Sequence, residues 1–318
     1  MRPIDSSRWS AMTRQRGIFV VMPTPFDEQG ALSDGDLRRL LKFVLDAGVH
    51  GIAHLLDASE ASTLTEDEAV RVVRTTVDIV DGMVPTIFGV TRATALQATD
   101  AARRYEDLGA SCVCSRPPDY RFGRRLTSSE FQDYFGKIGG AVRIPVMIQN
   151  TPRDPIAVDD LVDLLKLSNI HYVKEESSMA GHTISEILRL SGGKCRGIFG
   201  GAGGVDMPDE HRRGASGSMP GAHIPEAFVH MWERLESGDA EGARVVRSKI
   251  LPLALMEERF FPRIYKEVLV KRGVISSAVT RVAGTPLLDP CDHLELRTIL
   301  EDIASLLTPI QRERSSGA

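Results

Sequence analysis

His171-Tyr172-Val173-Lys174-Glu175-Glu176-Ser177-Ser178 reads as a short strand, 170–174, running into a polar loop. Lys174 closes the strand, with apolar Val173 before it and carboxylates after it. In a closed barrel of parallel strands, side chains at the C-terminal strand ends face the active site. A lysine desolvated there can attack a carbonyl and form a Schiff base. An isolated strand-end lysine is more often a solvated charge, so the weight falls on what surrounds it.

Outward from Lys174 the chain alternates short apolar runs with longer amphipathic ones. Strand-like runs fall at 17–22, 51–56, 84–90, 111–115, 144–149, 170–174, 197–200 and 215–219. Helical periodicity fills the gaps at 37–47, 66–80, 93–108, 128–136, 158–167, 185–190 and 205–213. Thr65 followed by Glu66-Asp67-Glu68 is a helix start, with an N-capping hydroxyl and acidic residues in the first turn. Such βα repetition implies a parallel sheet. Eight units, with no Gly-x-Gly-x-x-Gly turn after the first strand, favour a closed (β/α)8 TIM barrel over a doubly wound α/β sheet. From residue 225 the strands stop, and 226–236, 240–260, 263–272 and 293–307 read as helices. The expected organisation is a polar N-terminal arm at 1–16, a barrel at 17–224, a C-terminal helical region at 225–310 and a polar tail at 311–318.

Composition restricts the partners. The chain of 318 residues is 42% hydrophobic and 26% charged, with a net charge of −4. That balance gives no electrostatic argument for nucleic acid or a membrane surface. No apolar run is long enough to span a bilayer, and the polar first 16 residues lack the apolar core of a secretory signal. The four cysteines, Cys112, Cys114, Cys195 and Cys291, form no Cys-x-x-Cys pair and lack the spacing of a zinc site. A reduced, cytoplasmic protein is the expectation.

Four segments then fall in one order: Thr24-Pro25-Phe26 after strand one, Glu60-Ala-Ser-Thr63-Leu64-Thr65 after strand two, Asn150-Thr-Pro152 after strand five, and Val173-Lys174-Glu175 at the end of strand six. The chain resembles the dihydrodipicolinate synthase / N-acetylneuraminate lyase family across about residues 17–307. The resemblance implies that Lys174 forms a Schiff base with pyruvate or another 2-keto acid, and that the protein is a homo-oligomer, a tetramer or dimer. An iminium on Lys174 would act as an electron sink for the adjacent carbon, so C–C bond making or breaking, or loss of water, requires no metal or organic cofactor.

Two departures from the family pattern bear on the chemistry. Where the family carries Gly-Thr-Thr-Gly-Glu after strand two, this chain has Leu56-Asp57-Ala58-Ser59-Glu60. Ala58 offers a backbone N–H to a carboxylate, and Ser59 an N–H and a hydroxyl, whereas Asp57 brings negative charge to the place a keto acid would approach. Where the family has a proton-relaying tyrosine before Asn-x-Pro, this chain has Gln149, an amide that can orient a substrate but not act as an acid or base. Tyr120 matches the tyrosine that follows strand four in the family's relay, while its partners are replaced.

Either Asp57 takes over proton transfer beside Lys174, or the relay is lost and the chain is a catalytically degenerate small-molecule-binding or scaffold protein. Lys174, Asp57 and Tyr120 are thus the catalytic candidates. Ala58, Ser59, Gln149, Asn150, Arg153 and a backbone carbonyl near Met219 are the expected substrate contacts. Arg116 is a further candidate for a second carboxylate. His54, within strand two, is expected in the core, and Glu175 and Glu176 in a salt-bridge network around Lys174.

Overall fold

The computed structural model describes residues 15–118 and 125–308. The eight strands, β1 (Gly17–Val21), β2 (Gly51–His54), β3 (Thr86–Gly89), β4 (Cys112–Ser115), β5 (Val146–Asn150), β6 (Ile170–Glu175), β7 (Gly197–Gly200) and β8 (Gly217–Ser218), form a closed barrel in sequence order. All neighbours are parallel, and β1 closes on β8 through Gly17↔Gly217 and Ile18↔Ser218. The expected (β/α)8 barrel is the observed one. Its strands are buried on both faces, as an all-parallel sheet covered by helices must be. Closure depends on small residues: a Cβ on Gly217 would lie 1.9 Å from the Gly17 carbonyl oxygen.

Helices α1 (Asp34–Asp46), α2 (Glu66–Val80), α3 (Ala95–Asp107), α4 (Ser128–Ala141), α5 (Val158–Leu164), α6 (Ala180–Leu190) and α7 (Met207–Arg212) connect the strands. Thr65 caps α2 in a reciprocal box with Glu68, as its sequence predicts. Helix α4 continues past Gly136 to Ala141, and of its glycines Gly139 serves packing: a Cβ there would lie 2.3 Å from the Ser168 carbonyl oxygen.

The C-terminal region follows as α8 (Pro225–Glu236), α9 (Ala240–Phe260), α10 (Arg263–Lys271) and α11 (Pro290–Asp302). The last of these starts and stops earlier than the expected 293–307. Asp289 accepts from the backbone N–H groups of Cys291 and Asp292, and Pro290 supplies the first helical position, a start signal that outweighs apolar periodicity. Among the described residues no helix is long and apolar enough to cross a membrane. The polar tail, nearly all of the N-terminal arm and Tyr120 lie outside the described residues.

Candidate active site

Strand alternation decides which residues reach the barrel mouth. In the β5/β6 pairing Gln149 sits beside Lys174, and Asn150 beside Glu175. Successive side chains point to opposite faces, so the two pairs serve different sides of the sheet. Gln149 and Lys174 line a cavity of about 860 Å3 at the C-terminal mouth of the barrel. Asn150 and Glu175 lie outside that lining and bond to each other: the Asn150 amide donates to Glu175 Oε2 at 2.7 Å. Asn150 Oδ1 accepts from the Ile156 N–H at 2.7 Å, which ties down the loop after β5. Asn150, expected to touch substrate, is instead a buried loop anchor. Burial pushes the Glu175 carboxyl up, against the hydrogen bonds that Ser177 and Asn150 donate to it.

Lys174 is buried, its side chain 5% exposed, and its Nζ lies 2.8 Å from Glu176 Oε2. The same carboxylate oxygen accepts from Gln149 Nε2 at 2.8 Å, and Glu176 Oε1 accepts from the Ala202 N–H at 3.2 Å. Burial alone would raise the Glu176 carboxyl. The Lys174 charge and the donated hydrogen bonds outweigh it and hold the group below its usual range. A side chain at position 201 would collide with this carboxylate, since a Cβ on Gly201 would lie 2.2 Å from Glu176 Oε1.

Glu176 is the site residue that sequence reasoning underweighted. The expected salt bridge at Lys174 exists, and among the described residues it runs to Glu176, while Glu175 turns to Asn150 and Ser177. The signal was present: residues two apart on an extended segment share a face, and Glu176 stands two after Lys174.

Asp57 and Ala58 lie in the 3-10 turn after β2, and both line the cavity. Asp57 Oδ1 accepts from Arg116 Nε at 3.3 Å, so its charge is offset by a guanidinium on the next wall. The repulsion expected between Asp57 and a carboxylate substrate is therefore balanced. Ser59 does not reach the cavity: its hydroxyl donates to the Met22 carbonyl at 2.6 Å and accepts from the Leu56 N–H at 3.3 Å, which holds the turn in place. Arg153 and Met219, the other expected substrate contacts, also line the cavity.

His54 is fully buried, and burial lowers its pKa to about 3, so it is a neutral core group. Cys112 and Cys114 are buried, and burial raises both thiols, that of Cys114 to about 12, which leaves them unreactive. Among the described residues no cluster of three or more His, Cys, Asp or Glu side chains is placed to hold a metal ion. The far wall of the cavity comes from the C-terminal region, which contributes Glu257 and Glu258 from α9, Phe261, and Tyr265 from α10.

A buried lysine at the end of the sixth strand, ion-paired inside a polar barrel mouth, defines a class: the α/β-barrel lyases that work through a Schiff base. Within that class the chain belongs to the dihydrodipicolinate synthetase family, whose model matches residues 14–302. It is similar to L-2-keto-3-deoxyarabonate dehydratase of Azospirillum brasilense, at 27% identity over 301 residues covering 94% of this chain and 97% of that one. It is also similar to 4-hydroxy-tetrahydrodipicolinate synthase of Methanocaldococcus jannaschii, at 28% identity with coverage of 91% and 98%. The crystal structure of dihydrodipicolinate synthase from Rhodopseudomonas palustris superposes with a TM-score of 0.83 at 26% identity, covering 90% of this chain and 97% of that one.

Proposed function

We propose that this protein dehydrates a 2-keto-3-deoxy sugar acid through a Schiff base on Lys174. The observation that carries the reading is the buried Lys174 Nζ, 2.8 Å from Glu176, at the floor of a cavity large enough for a small acid. Glu176 takes the ammonium proton and frees the amine to attack the C2 carbonyl. It returns that proton to the carbinolamine hydroxyl, which leaves as water and gives the iminium. The iminium acidifies C3, and Glu176, freed again as carboxylate, is the nearest base for that proton. Proton transfer expected of Asp57 is thus assigned to Glu176. Asp57, ion-paired to Arg116, accepts from substrate hydroxyls, and Arg116 and Arg153 attract the carboxylate. Gln149 holds Glu176 in line. Tyr120 stays a catalytic candidate by resemblance alone.

Dehydration is preferred over condensation with pyruvate for two reasons. The cavity lining holds both acidic and basic side chains, suited to a hydroxylated chain. The Azospirillum relative, similar over nearly its whole length, is a dehydratase of such an acid. By resemblance, the protein acts in the cytoplasm as a homotetramer or dimer, which light scattering of the purified chain checks.

The test is reductive trapping. Incubation with L-2-keto-3-deoxyarabonate or pyruvate, followed by borohydride, should leave a mass adduct on Lys174. A chain that forms no adduct with either acid does not act through this Schiff base. In a dehydration assay Asp57→Asn should raise KM by roughly tenfold, about the worth of one hydrogen bond to a charged group, with kcat changed less. An unchanged KM removes Asp57 from substrate recognition.

A further inference from the structure

Glu257, Tyr265 and His223 form a buried acid–base cluster that the chemistry at Lys174 does not use. Tyr265 donates its hydroxyl proton to Glu257 Oε2 at 3.0 Å. His223 Nε2 lies 3.0 Å from the other carboxylate oxygen, Glu257 Oε1, and the His223 ring stacks on Tyr265 with centroids 4.6 Å apart. His223 is fully buried, and its Nε2 is off the line of a good hydrogen bond to Glu257. Neither ring nitrogen has another hydrogen-bond partner among the described residues. Such a cluster is expensive to bury for structure alone.

The cluster belongs to the cavity. Glu257 and Tyr265 both line it, as do Lys174 and Glu176. One short turn joins the two acid–base sites: the Ala202 N–H donates to Glu176, while the next residue, Gly203, sits against Glu257, where a Cβ would lie 3.0 Å from Oε2. The Tyr265 ring also requires Gly221, three residues after β8, because a Cβ there would lie 2.7 Å from the ring. Burial, then the adjacent Glu257 carboxylate, push the Tyr265 hydroxyl well above its usual range, so it remains a donor; the charge of Glu176 contributes in the same direction.

We infer that Glu257 is the general acid that protonates the hydroxyl leaving C4 of a 2-keto-3-deoxy sugar acid, with Tyr265 and His223 as its positioning residues. The inference rests on the Schiff-base dehydratase reading given above. Glu176 accepts the C3 proton, and the C3–H pair becomes the enamine double bond. That bond then shifts as the C4–O bond breaks; the C4–O electron pair stays on oxygen, which takes its proton from Glu257 acting as the acid and departs as water. Tyr265 donates to the resulting carboxylate. The product is a conjugated iminium on Lys174, which water hydrolyses to free the amine. One proton is taken at C3 and one delivered at C4, so the net change is loss of a single water. Base and acid stand on different walls, one from the barrel and one from the C-terminal helices, so each can face its own carbon.

The test uses wild type, Glu257→Gln and Tyr265→Phe with L-2-keto-3-deoxyarabonate and its 4-deoxy-4-fluoro analogue. All three chains should trap the keto acid on Lys174 with borohydride. Glu257→Gln should lose on the order of 100-fold or more in kcat on the hydroxy acid, the usual scale of a lost general acid. It should retain near-wild-type turnover of the fluoro analogue, because fluoride departs without full protonation. Tyr265→Phe keeps the ring against Gly221, should lose roughly tenfold as one hydrogen bond to the carboxylate disappears, and decides the matter if Glu257→Gln does not fold. Full turnover of the hydroxy acid by either variant that traps normally, or equal losses on both substrates, overturns the inference. A wild type that traps but expels neither water nor fluoride, or that does not trap, overturns the underlying dehydratase reading.

Discussion

A single carboxylate oxygen at Lys174 organises the floor of the site. Glu176 Oε2 accepts from both the Lys174 ammonium and the Gln149 amide, each at 2.8 Å. Replacing Glu176 with Gln keeps the size and removes the charge and the base. The Lys174 ammonium would then stand buried without its counter-ion. Glu176→Gln should slow adduct formation on Lys174 by about 100-fold, within the usual range of a lost general base. The readout is the rate, not the extent, of borohydride-trappable adduct in a single-turnover experiment, and a rate equal to wild type rules out the proton-transfer role. Gln149 explains itself in the same frame. A tyrosine there would compete with Lys174 for Glu176, whereas an amide donates without exchanging protons at neutral pH. The residue that seemed to subtract a relay holds its replacement in place.

At the scale of elements, α7 lays Glu210 against the end of β7. Glu210 is 2% exposed, its Oε2 has no partner among the described residues, and a Cβ on Gly200 would fall 1.7 Å from that oxygen. Burial, then the nearby charges of Asp206, Glu176, Glu175 and Asp209, raise its pKa to about 8. The folded state thus holds a proton that the unfolded chain releases above its ordinary carboxyl pKa. The stabilisation is complete below about pH 4.5 and is lost as pH rises through about 8, by roughly 3–5 kcal/mol in total. Glu210→Gln should flatten that decline between pH 5 and 9 in thermal melts, and an unchanged slope would assign it to other groups.

This is also the scale at which the sequence spoke most clearly. Helices Glu66–Val80 and Ala240–Phe260 and strand Gly197–Gly200 have the bounds that periodicity and caps predict. The barrel, and Lys174 at its mouth, followed from order and spacing. What sequence could not supply was the face of each loop residue. Asn150 and Ser59 carry the right chemistry but spend it on Glu175, Ile156, Met22 and Leu56. Glu257 and Tyr265 lie more than eighty residues after Lys174 in a helical region whose docking no local pattern encodes.

That docking is a property of the whole molecule. Lys266, the neighbour of Tyr265 on α10, forms a fully buried ion pair with Glu60 at 2.6 Å and donates to the Val279 carbonyl at 2.7 Å. The other Glu60 oxygen accepts from the backbone N–H groups of Arg281 and Val282 at 2.6 and 3.0 Å. The Lys266 Nζ and the Arg281 guanidinium each lie 4.1 Å from the Phe26 ring centroid, and Arg281 pairs with Glu68 at 2.6 Å. These contacts clamp residues 266–282 onto the loops after β1 and β2. Glu60 takes a left-handed backbone conformation, φ 54°, directly after the turn that presents Asp57 and Ala58. The pair therefore fixes both walls of the cavity at once.

Removing one partner leaves a buried charge uncompensated, so Lys266→Met should cost about 3–5 kcal/mol of stability in urea unfolding. The double variant Glu60→Gln/Lys266→Met, with no net charge left behind, should recover a large part of that loss. Where the double variant folds, it should still form the Lys174 adduct while its kcat for dehydration falls, because Tyr265 and Glu257 are no longer held against the cavity. Wild-type kcat in that variant would mean the C-terminal helices keep their position by apolar packing alone, with the Glu60–Lys266 pair dispensable to the geometry of the far wall.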